Sequence, residues 1–121
     1  MNNIKKLSGA REIVVFDKVL ATYPGGVNID NVDAKSRFAN GIIPAGTLVV
    51  NVAGVFKVLN VALTAPNTVG AVGLVRQNIA IEDFTLSAVV TDGIVRIDAL
   101  PALEKTGVAF IKTNLPNLKF Y

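Results

Sequence analysis

The residue types that most often carry acid–base or metal chemistry are scarce in this chain. Histidine and cysteine are both absent, which removes the commonest general base, the commonest metal ligand and every thiolate. The one adjacent acidic pair is Glu82–Asp83, and neighbouring side chains in an extended strand point to opposite faces. The serines have no histidine partner, and no G-x-S-x-G motif occurs. We therefore expect no catalytic residue and no enzymatic activity.

Two further stretches resemble ligand-binding motifs but lack residues that those motifs require. Asn28, Asp30, Asn31 and Asp33 have the composition of a calcium loop, but the required glycine at the sixth position and glutamate at the twelfth are missing. The pair Gly70-x-x-Gly73 lacks the third glycine and the lysine of nucleotide-binding loops. We read the first as turn chemistry and the second as a place where another backbone comes close. No metal and no cofactor is expected.

The composition favours a protein that associates with other protein surfaces. The chain has 121 residues, of which 51% are hydrophobic and only 17% charged. Its mean hydropathy is +0.50, which is high for a chain of this size, and a small domain buries a limited fraction of its surface. Part of this apolar material is therefore expected to be buried against copies of the chain or against a partner.

Charge and hydropathy also limit the class of partner. The net charge is +3, and no basic run with interleaved aromatic residues indicates a nucleic-acid binder. No apolar run reaches the roughly 18 residues of a membrane span. The N-terminus has two lysines but only a short apolar run, which does not make a signal peptide. We expect a protein that is made in the cytoplasm and binds neither nucleic acid nor a membrane.

The chain is predicted to consist of a polar N-terminal arm, residues 1–11, and one β-rich domain, residues 12–121. The arm is either a loosely ordered terminus or an extended segment that adds to a neighbour's sheet. Residues 12–16 predict a strand, and residues 17–22 a strand or a single helical turn. Residues 23–41 are the least regular part, and residues 47–61 predict a hairpin whose run Leu48–Val49–Val50 is typical of a strand buried on both faces.

The strongest local signal is the pair Asp92–Gly93 within the stretch FTLSAVVTDGIVRIDALP, residues 84–101. An Asp-Gly pair between strand-forming residues predicts a two-residue hairpin turn. Folding there places apolar pairs on one face. That face is predicted to hold Leu86, Ala88, Val90, Val95, Ile97 and Ala99. The opposite face is predicted to hold Ser87, Val89, Thr91, Arg96 and Asp98.

The C-terminal part predicts a short helix and a closing strand. Pro101 and Gly107 bracket a helix of one to two turns, and Val108–Lys112 is predicted to be a strand. The terminal aromatic residues Phe120 and Tyr121 are expected to dock on this chain or on the next one. The fold class is therefore mainly β with one short helix: a small antiparallel sheet or partly closed barrel built from two hairpins.

Four stretches, in this order, resemble the small head decoration proteins of tailed double-stranded DNA phages, the group typified by the lambda decoration protein. They are IPAGTLV (residues 43–49), AVGLVRQNI (71–79), VVTDGIVRIDALP (89–101) and TGVAFI (106–111). In the family pattern a P-A-G-T turn starts a hairpin and an A-V-G-[IL]-L-like strand follows. A second hairpin of the form V…GxVR…LP comes next, and then a short helix and a final strand. The chain departs from the pattern at Arg76-Gln77-Asn78, where relatives often carry an acidic residue.

The resemblance implies a structural role on the exterior of a virion. Such proteins bind the major capsid protein, commonly as homotrimers, and clamp its lattice after the capsid expands. The resemblance assigns capsid binding to the arm, that is to Asn2, Asn3, Ile4, Lys5, Lys6, Leu7 and Arg11. Candidate contacts between subunits are the outward hairpin residues and the terminal aromatics, namely Thr91, Arg96, Asp98, Phe120 and Tyr121.

Two other functions remain open at this stage. One is a different auxiliary capsid protein, such as the base of a head fibre, which would add head fibre proteins to the partners. The other is a small β-barrel module that binds a ligand or a glycan. Binding to expanded capsids separates the first of these classes from the second.

Overall fold

The computed structural model describes residues 15–82 and 85–121. Of these residues, 39% lie in strands and 21% in helices, which confirms the prediction of a mainly β fold. The main sheet is curled into a half-barrel and is accompanied by a few short helices. The predicted arm, residues 1–11, lies outside the described residues.

Ten strands and three α-helices make up the described part of the chain. The strands are β1 (Phe16–Thr22), β2 (Val27–Ile29), β3 (Ile42–Ile43), β4 (Leu48–Val52), β5 (Val55–Val58), β6 (Ala71–Val75), β7 (Ile79–Ala80), β8 (Thr85–Ser87), β9 (Val89–Val95) and β10 (Leu118–Phe120). The helices are α1 (Asn31–Arg37), α2 (Ala102–Thr106) and α3 (Val108–Asn114), and a 3₁₀ turn spans Ile97–Ala99.

The main sheet has the strand order β1-β9-β6-β4-β5-β2-β8, and β10 also pairs with β9. Most neighbours are antiparallel, but β2 runs parallel to β5 and β10 runs parallel to β9. Strands β3 and β7 form a separate two-stranded ribbon. The sheet is therefore mixed, where the sequence predicted an antiparallel one.

The centre of the sheet is buried on both faces, as the run Leu48–Val49–Val50 predicts. All three side chains have 0% exposure. Leu48 and Val50 belong to a core cluster that includes Ile111 of α3. Val49 belongs to a second cluster that includes Ala34 of α1. Helices therefore cover both faces, and a strand at this position has no polar side to show.

The hairpin predicted within residues 47–61 is confirmed. Strands β4 and β5 pair antiparallel up to Val52 and Val55. The two residues between them, Ala53 and Gly54, have φ values of 53° and 88°, as a tight turn of the primed type requires.

The hairpin predicted at Asp92–Gly93 is wrong, because both residues lie inside the continuous strand β9. Strand β1 runs alongside this stretch, with Asp92 opposite Ala21 and Gly93 opposite Val19. A Cβ atom on Gly93 would overlap the carbonyl oxygen of Lys18. The glycine therefore permits the close approach of β1, and tertiary packing overrides a local turn signal.

The predicted faces of this segment are wrong in part for the same reason. Val90 and Val95 are buried, as expected, but Val89 is also fully buried in the second cluster. Leu86, predicted to lie in the core, is 53% exposed, because β8 pairs with β2 rather than with β9. One predicted hairpin therefore becomes two strands at different places in the sheet.

At the C-terminus the predicted helix is confirmed and the predicted strand is wrong. Helix α2 lies between Pro101 and Gly107, and the predicted strand over residues 108–112 is the helix α3. The buried residues Ile111 and Leu115 are four positions apart, the spacing of one helical face. The described part of the chain therefore has three short α-helices, where the sequence predicted one.

Residues 23–41, predicted to be irregular, contain β2 and α1. The helix begins after Asp30 and buries Ala34 completely. This helix was not predicted, since the asparagine and aspartate residues of this stretch favour turns as much as a helix start.

Candidate functional site

Four of the five predicted subunit-contact residues meet in one place, where β9 ends. Phe120 is paired with Val95 across β10 and β9, and the amide of Ile97 donates to the carbonyl of Tyr121 at 2.8 Å. Arg96 and Asp98 flank Ile97 along the chain. We call these four residues, Arg96, Asp98, Phe120 and Tyr121, the terminal corner.

The two aromatic residues of the terminal corner differ in exposure. Phe120 is half-buried and packs against the first core cluster, so the prediction that it docks is confirmed. Tyr121 is 65% exposed, and its ring is accessible within the described part of the chain. Tyr121 is therefore the aromatic side chain of the corner that is available to a partner.

Arg96 is already engaged by its own chain. Its Nε donates to Oδ1 of Asp17 at 2.5 Å, and the two side chains are 55% and 23% exposed. An exposed pair of this kind contributes about 0–1 kcal/mol to stability. A subunit contact through Arg96 would therefore use the ion pair as a unit rather than a lone cation.

Thr91 lies apart from the terminal corner, in the middle of β9. Ala21 pairs with Asp92 and Thr22 with Val90, so the register between β1 and β9 skips Thr91. Such an irregularity changes the direction of side chains along a strand. The structure therefore does not bring Thr91 together with the other four predicted residues.

The seven arm residues predicted to bind a capsid lie outside the described residues. They are Asn2, Asn3, Ile4, Lys5, Lys6, Leu7 and Arg11. The described chain begins at Val15, which is buried and whose carbonyl accepts a hydrogen bond from the amide of Arg96 at 2.8 Å. The first described residue, Val15, therefore lies beside the terminal corner.

A buried ion pair, which the sequence reasoning missed, joins α1 to α2. Arg37 donates to both carboxylate oxygens of Glu104, and Glu104 has 0% exposure. Glu104 also accepts from the amide of Leu48 at 2.9 Å, and Arg37 donates to the carbonyl of Leu59 at 3.2 Å. The guanidinium lies 4.7 Å from the ring centroid of Phe38.

This ion pair holds α1 and α2 together and presents no reactive group. The carboxylate oxygens of Glu104 are occupied by donors of the same chain, so none is presented to a substrate. The two residues are 67 positions apart in sequence. Without the fold, no spacing rule could have paired them.

A second ion pair joins α1 to strand β5 of the main sheet. Nζ of Lys57 in β5 lies 2.8 Å from Oδ2 of Asp33 in α1. The hydrogen bond and the charge of Asp33 raise the pKa of the Lys57 ammonium above its ordinary value of 10.5. This lysine therefore stays charged at physiological pH, and its role is to hold α1 against β5 rather than to act as a base.

A groove of about 380 Å³ lies between β2 and β5. The two strands pair at a single register position, Ile29 with Phe56. The lining consists of Gly26, Val27, Asn28, Asp30, Gly54, Val55 and Phe56. The lining contains no candidate nucleophile, and its one candidate base is the carboxylate of Asp30. The groove is therefore suited to contact with a partner.

The described residues contain neither a metal-binding cluster nor a membrane-spanning helix. Among residues 15–82 and 85–121, no group of three or more acidic side chains is placed to hold a metal ion. None of the described helices has the length and apolar character needed to cross a membrane.

Comparisons of the chain with protein-family models, with curated proteins and with solved structures gave no match.

Proposed function

We propose that this chain is a structural virion protein that binds the outer surface of a phage capsid and stabilises the lattice of the major capsid protein, as a homotrimer. The observation that carries the proposal is the order of the four stretches that resemble the phage head decoration proteins. Three of them contribute β4, β6 and β9, which are neighbours in the main sheet. The resemblance therefore concerns one contiguous part of the molecule.

The turn that opens the first stretch has the geometry its sequence requires. Gly46 has a φ of 90°, and the hydroxyl of Thr47 donates to the carbonyl of Pro44 at 2.7 Å. The fourth stretch departs from the family pattern, because residues 108–111 are helical rather than extended. The third stretch departs from it as well, because residues 89–95 form one continuous strand and not a hairpin. The proposal therefore rests on the order of the four stretches in the sequence and on the structure of the first two.

The proposed mechanism is mass action on the assembled lattice. A protein that binds the assembled lattice, and not its separated subunits, stabilises the assembly by its binding free energy. A trimer touches several capsid subunits at once, so weak individual contacts add to a strong total. In the proposed mechanism the arm contacts the capsid, and the terminal corner contributes to contacts between decoration subunits.

The arm provides the first test of the proposal. We expect a chain lacking residues 2–11 to lose co-sedimentation with expanded capsids, because the arm carries the predicted capsid contacts. Its circular dichroism spectrum and thermal midpoint should remain those of the full chain, since the deletion ends before the buried residue Val15. The measurement is sedimentation with expanded capsids over a range of protein concentrations.

The matched control removes positive charge elsewhere. The triple variant Lys35→Gln, Lys105→Gln and Lys112→Gln changes three exposed lysines of α1, α2 and α3, which is as many positive charges as the deletion removes, and it should bind capsids as the full chain does. Undiminished binding by the chain without its arm would contradict the assignment of the arm. An equal loss in the control would show that binding depends on net charge alone.

A further inference from the structure

The turn between α1 and β3 contains the only asparagine of the chain that is followed directly by a glycine, Asn40–Gly41. The side chain of Asn40 is exposed. An asparagine can modify itself when the backbone nitrogen of the next residue attacks its side-chain amide carbon. A side chain on that next residue hinders the attack, and glycine has none. Asn40 is therefore the least hindered asparagine of this chain.

The space around Gly41 is open. Its φ is 79°, and no atom lies within 4 Å of the place where a Cβ would be. Glycine passes between positive and negative φ without a steric penalty. The peptide between Asn40 and Gly41 is therefore free to rotate, and water reaches it.

The amide of Ile42 activates the side chain of Asn40. It donates to Oδ1 of Asn40 at 3.2 Å. A donor on this oxygen draws electron density from the amide carbon, and it stabilises the negative charge that develops on the oxygen during an attack. The attacking nitrogen, that of Gly41, must give up its own hydrogen bond to the carbonyl of Phe38, which is 3.0 Å long. The net cost is modest, because water replaces this bond.

We propose that Asn40 is a self-modification site, at which the folded chain deamidates and forms isoaspartate. The nitrogen of Gly41 gives its proton to water and forms a bond with Cγ of Asn40. The bond between Cγ and Nδ2 breaks, and Nδ2 takes up a proton and leaves as ammonia. A succinimide ring remains. Water then adds to either carbonyl carbon of the ring and opens it, which leaves aspartate or isoaspartate. No oxidant or reductant takes part.

The product changes the link between α1 and the ribbon of β3 and β7. The carbonyl of Gly41 accepts from the amide of Ile81 at 2.8 Å, and Ile42 pairs with Ala80. In isoaspartate the main chain runs through the side-chain carbon and is longer by one methylene group, and both products add a negative charge. We therefore expect the modification to weaken the pairing of β3 with β7.

A second pair with the same chemistry, Asp92–Gly93, is protected by the fold. An aspartate before a glycine closes the same ring with loss of water. Gly93 is buried, however, and lies in β9 between Val19 of β1 and Leu118 of β10. Strand pairing on both sides holds this peptide extended. The structure therefore selects Asn40 and not Asp92.

Peptide mapping by mass spectrometry tests the proposal on the full, folded chain during incubation at mildly alkaline pH. We expect the peptide that contains Asn40 to gain the mass of the exchange of an amide for an acid, and to separate into an aspartate and an isoaspartate form. Asn60, which is exposed and followed by Val61, is the internal control. Reaction at Asn40 should be at least about tenfold faster, which corresponds to about 1.4 kcal/mol in the barrier.

Two variants connect the modification to the ribbon. During the incubation the thermal midpoint of the unmodified sequence should fall by a few degrees. The midpoint of Asn40→Gln should stay constant, because glutamine closes a larger ring far more slowly. The matched control, Asn60→Gln, should show the same product at Asn40 and the same fall in midpoint as the unmodified sequence.

Three results would overturn the proposal. The first is a product at Asn40 in the chain unfolded by urea but not in the folded chain, which would show that the fold protects the turn. The second is an equal rate at Asn40 and Asn60. The third is isoaspartate at Asp92 before any product at Asn40. These measurements use no capsid, so their outcome is separate from that of the proposed function.

Discussion

Replacing Glu104 with alanine is expected to lower the free energy of unfolding by about 3–5 kcal/mol, enough to unfold a large fraction of a marginally stable domain. The substitution removes the carboxylate that accepts from Arg37 and from the amide of Leu48. It leaves the guanidinium of Arg37, whose side chain is 8% exposed, without its counter-charge. Urea titration followed by circular dichroism measures the change.

An exposed ion pair serves as the matched control. Asp17→Ala breaks the pair with Arg96, whose side chain is 55% exposed, and should cost about 0–1 kcal/mol. A double variant, Arg37→Met with Glu104→Leu, should recover part of the loss, because it removes both charges from the interior but leaves the buried amide of Leu48 without its acceptor. Equal costs for Glu104→Ala and Asp17→Ala would contradict a structural role for the buried pair.

Replacing Gly73 with alanine is expected to destabilise the sheet by about 3 kcal/mol or more, at the upper end for overpacked cores. A Cβ atom at this position would overlap the carbonyl oxygen of Val90 and approach Cγ1 of Val89 to 2.7 Å. Both obstacles belong to the central strand β9, which is held by β1, β6 and β10. The carbonyl cannot move without breaking strand pairing. Thermal and urea denaturation both report the loss.

Gly25→Ala is the control for this prediction. No atom lies within 4 Å of where its Cβ would be, and its φ is 77°, so the expected cost is only the about 1–2 kcal/mol of left-handed backbone strain. If Gly73→Ala were no more destabilising than Gly25→Ala, the close approach of β6 to β9 would not be a packing constraint.

Sequence reasoning predicted correctly the features that a local pattern of residue types determines. The run Leu48–Val49–Val50 predicted a strand buried on both faces, and the Ala53–Gly54 turn closes the hairpin that follows it. Pro101 and Gly107 marked the ends of α2. In each case the signal lies within about ten residues, and the tertiary structure agrees with it.

The failures occurred where distant contacts decide the outcome. Asp92–Gly93 has the chemistry of a turn, but β1 packs on Gly93 and keeps β9 extended. The apolar segment Val108–Lys112 fits a strand or a buried helix equally well by pattern, and its length could not discriminate. The pairing of Arg37 with Glu104 depends on how two helices distant in sequence pack together, which is not readable from local sequence.

The candidate site was predictable only in part. The terminal corner collects four of the five residues chosen as subunit contacts, because β10 lies beside the end of β9. Thr91 was chosen from a hairpin that does not form, and it lies elsewhere in the strand. The exposure of Leu86 was not predicted, because it depends on the pairing of β8 with β2.

In the proposed function this chain clamps an assembled and expanded capsid lattice. The most direct measurement compares co-sedimentation of the full chain with expanded and with unexpanded capsids of the same phage, at equal concentrations of capsid subunits. From the proposed function we expect saturable binding to expanded capsids and little binding to unexpanded shells. No binding to expanded capsids, or equal binding to both, would contradict it.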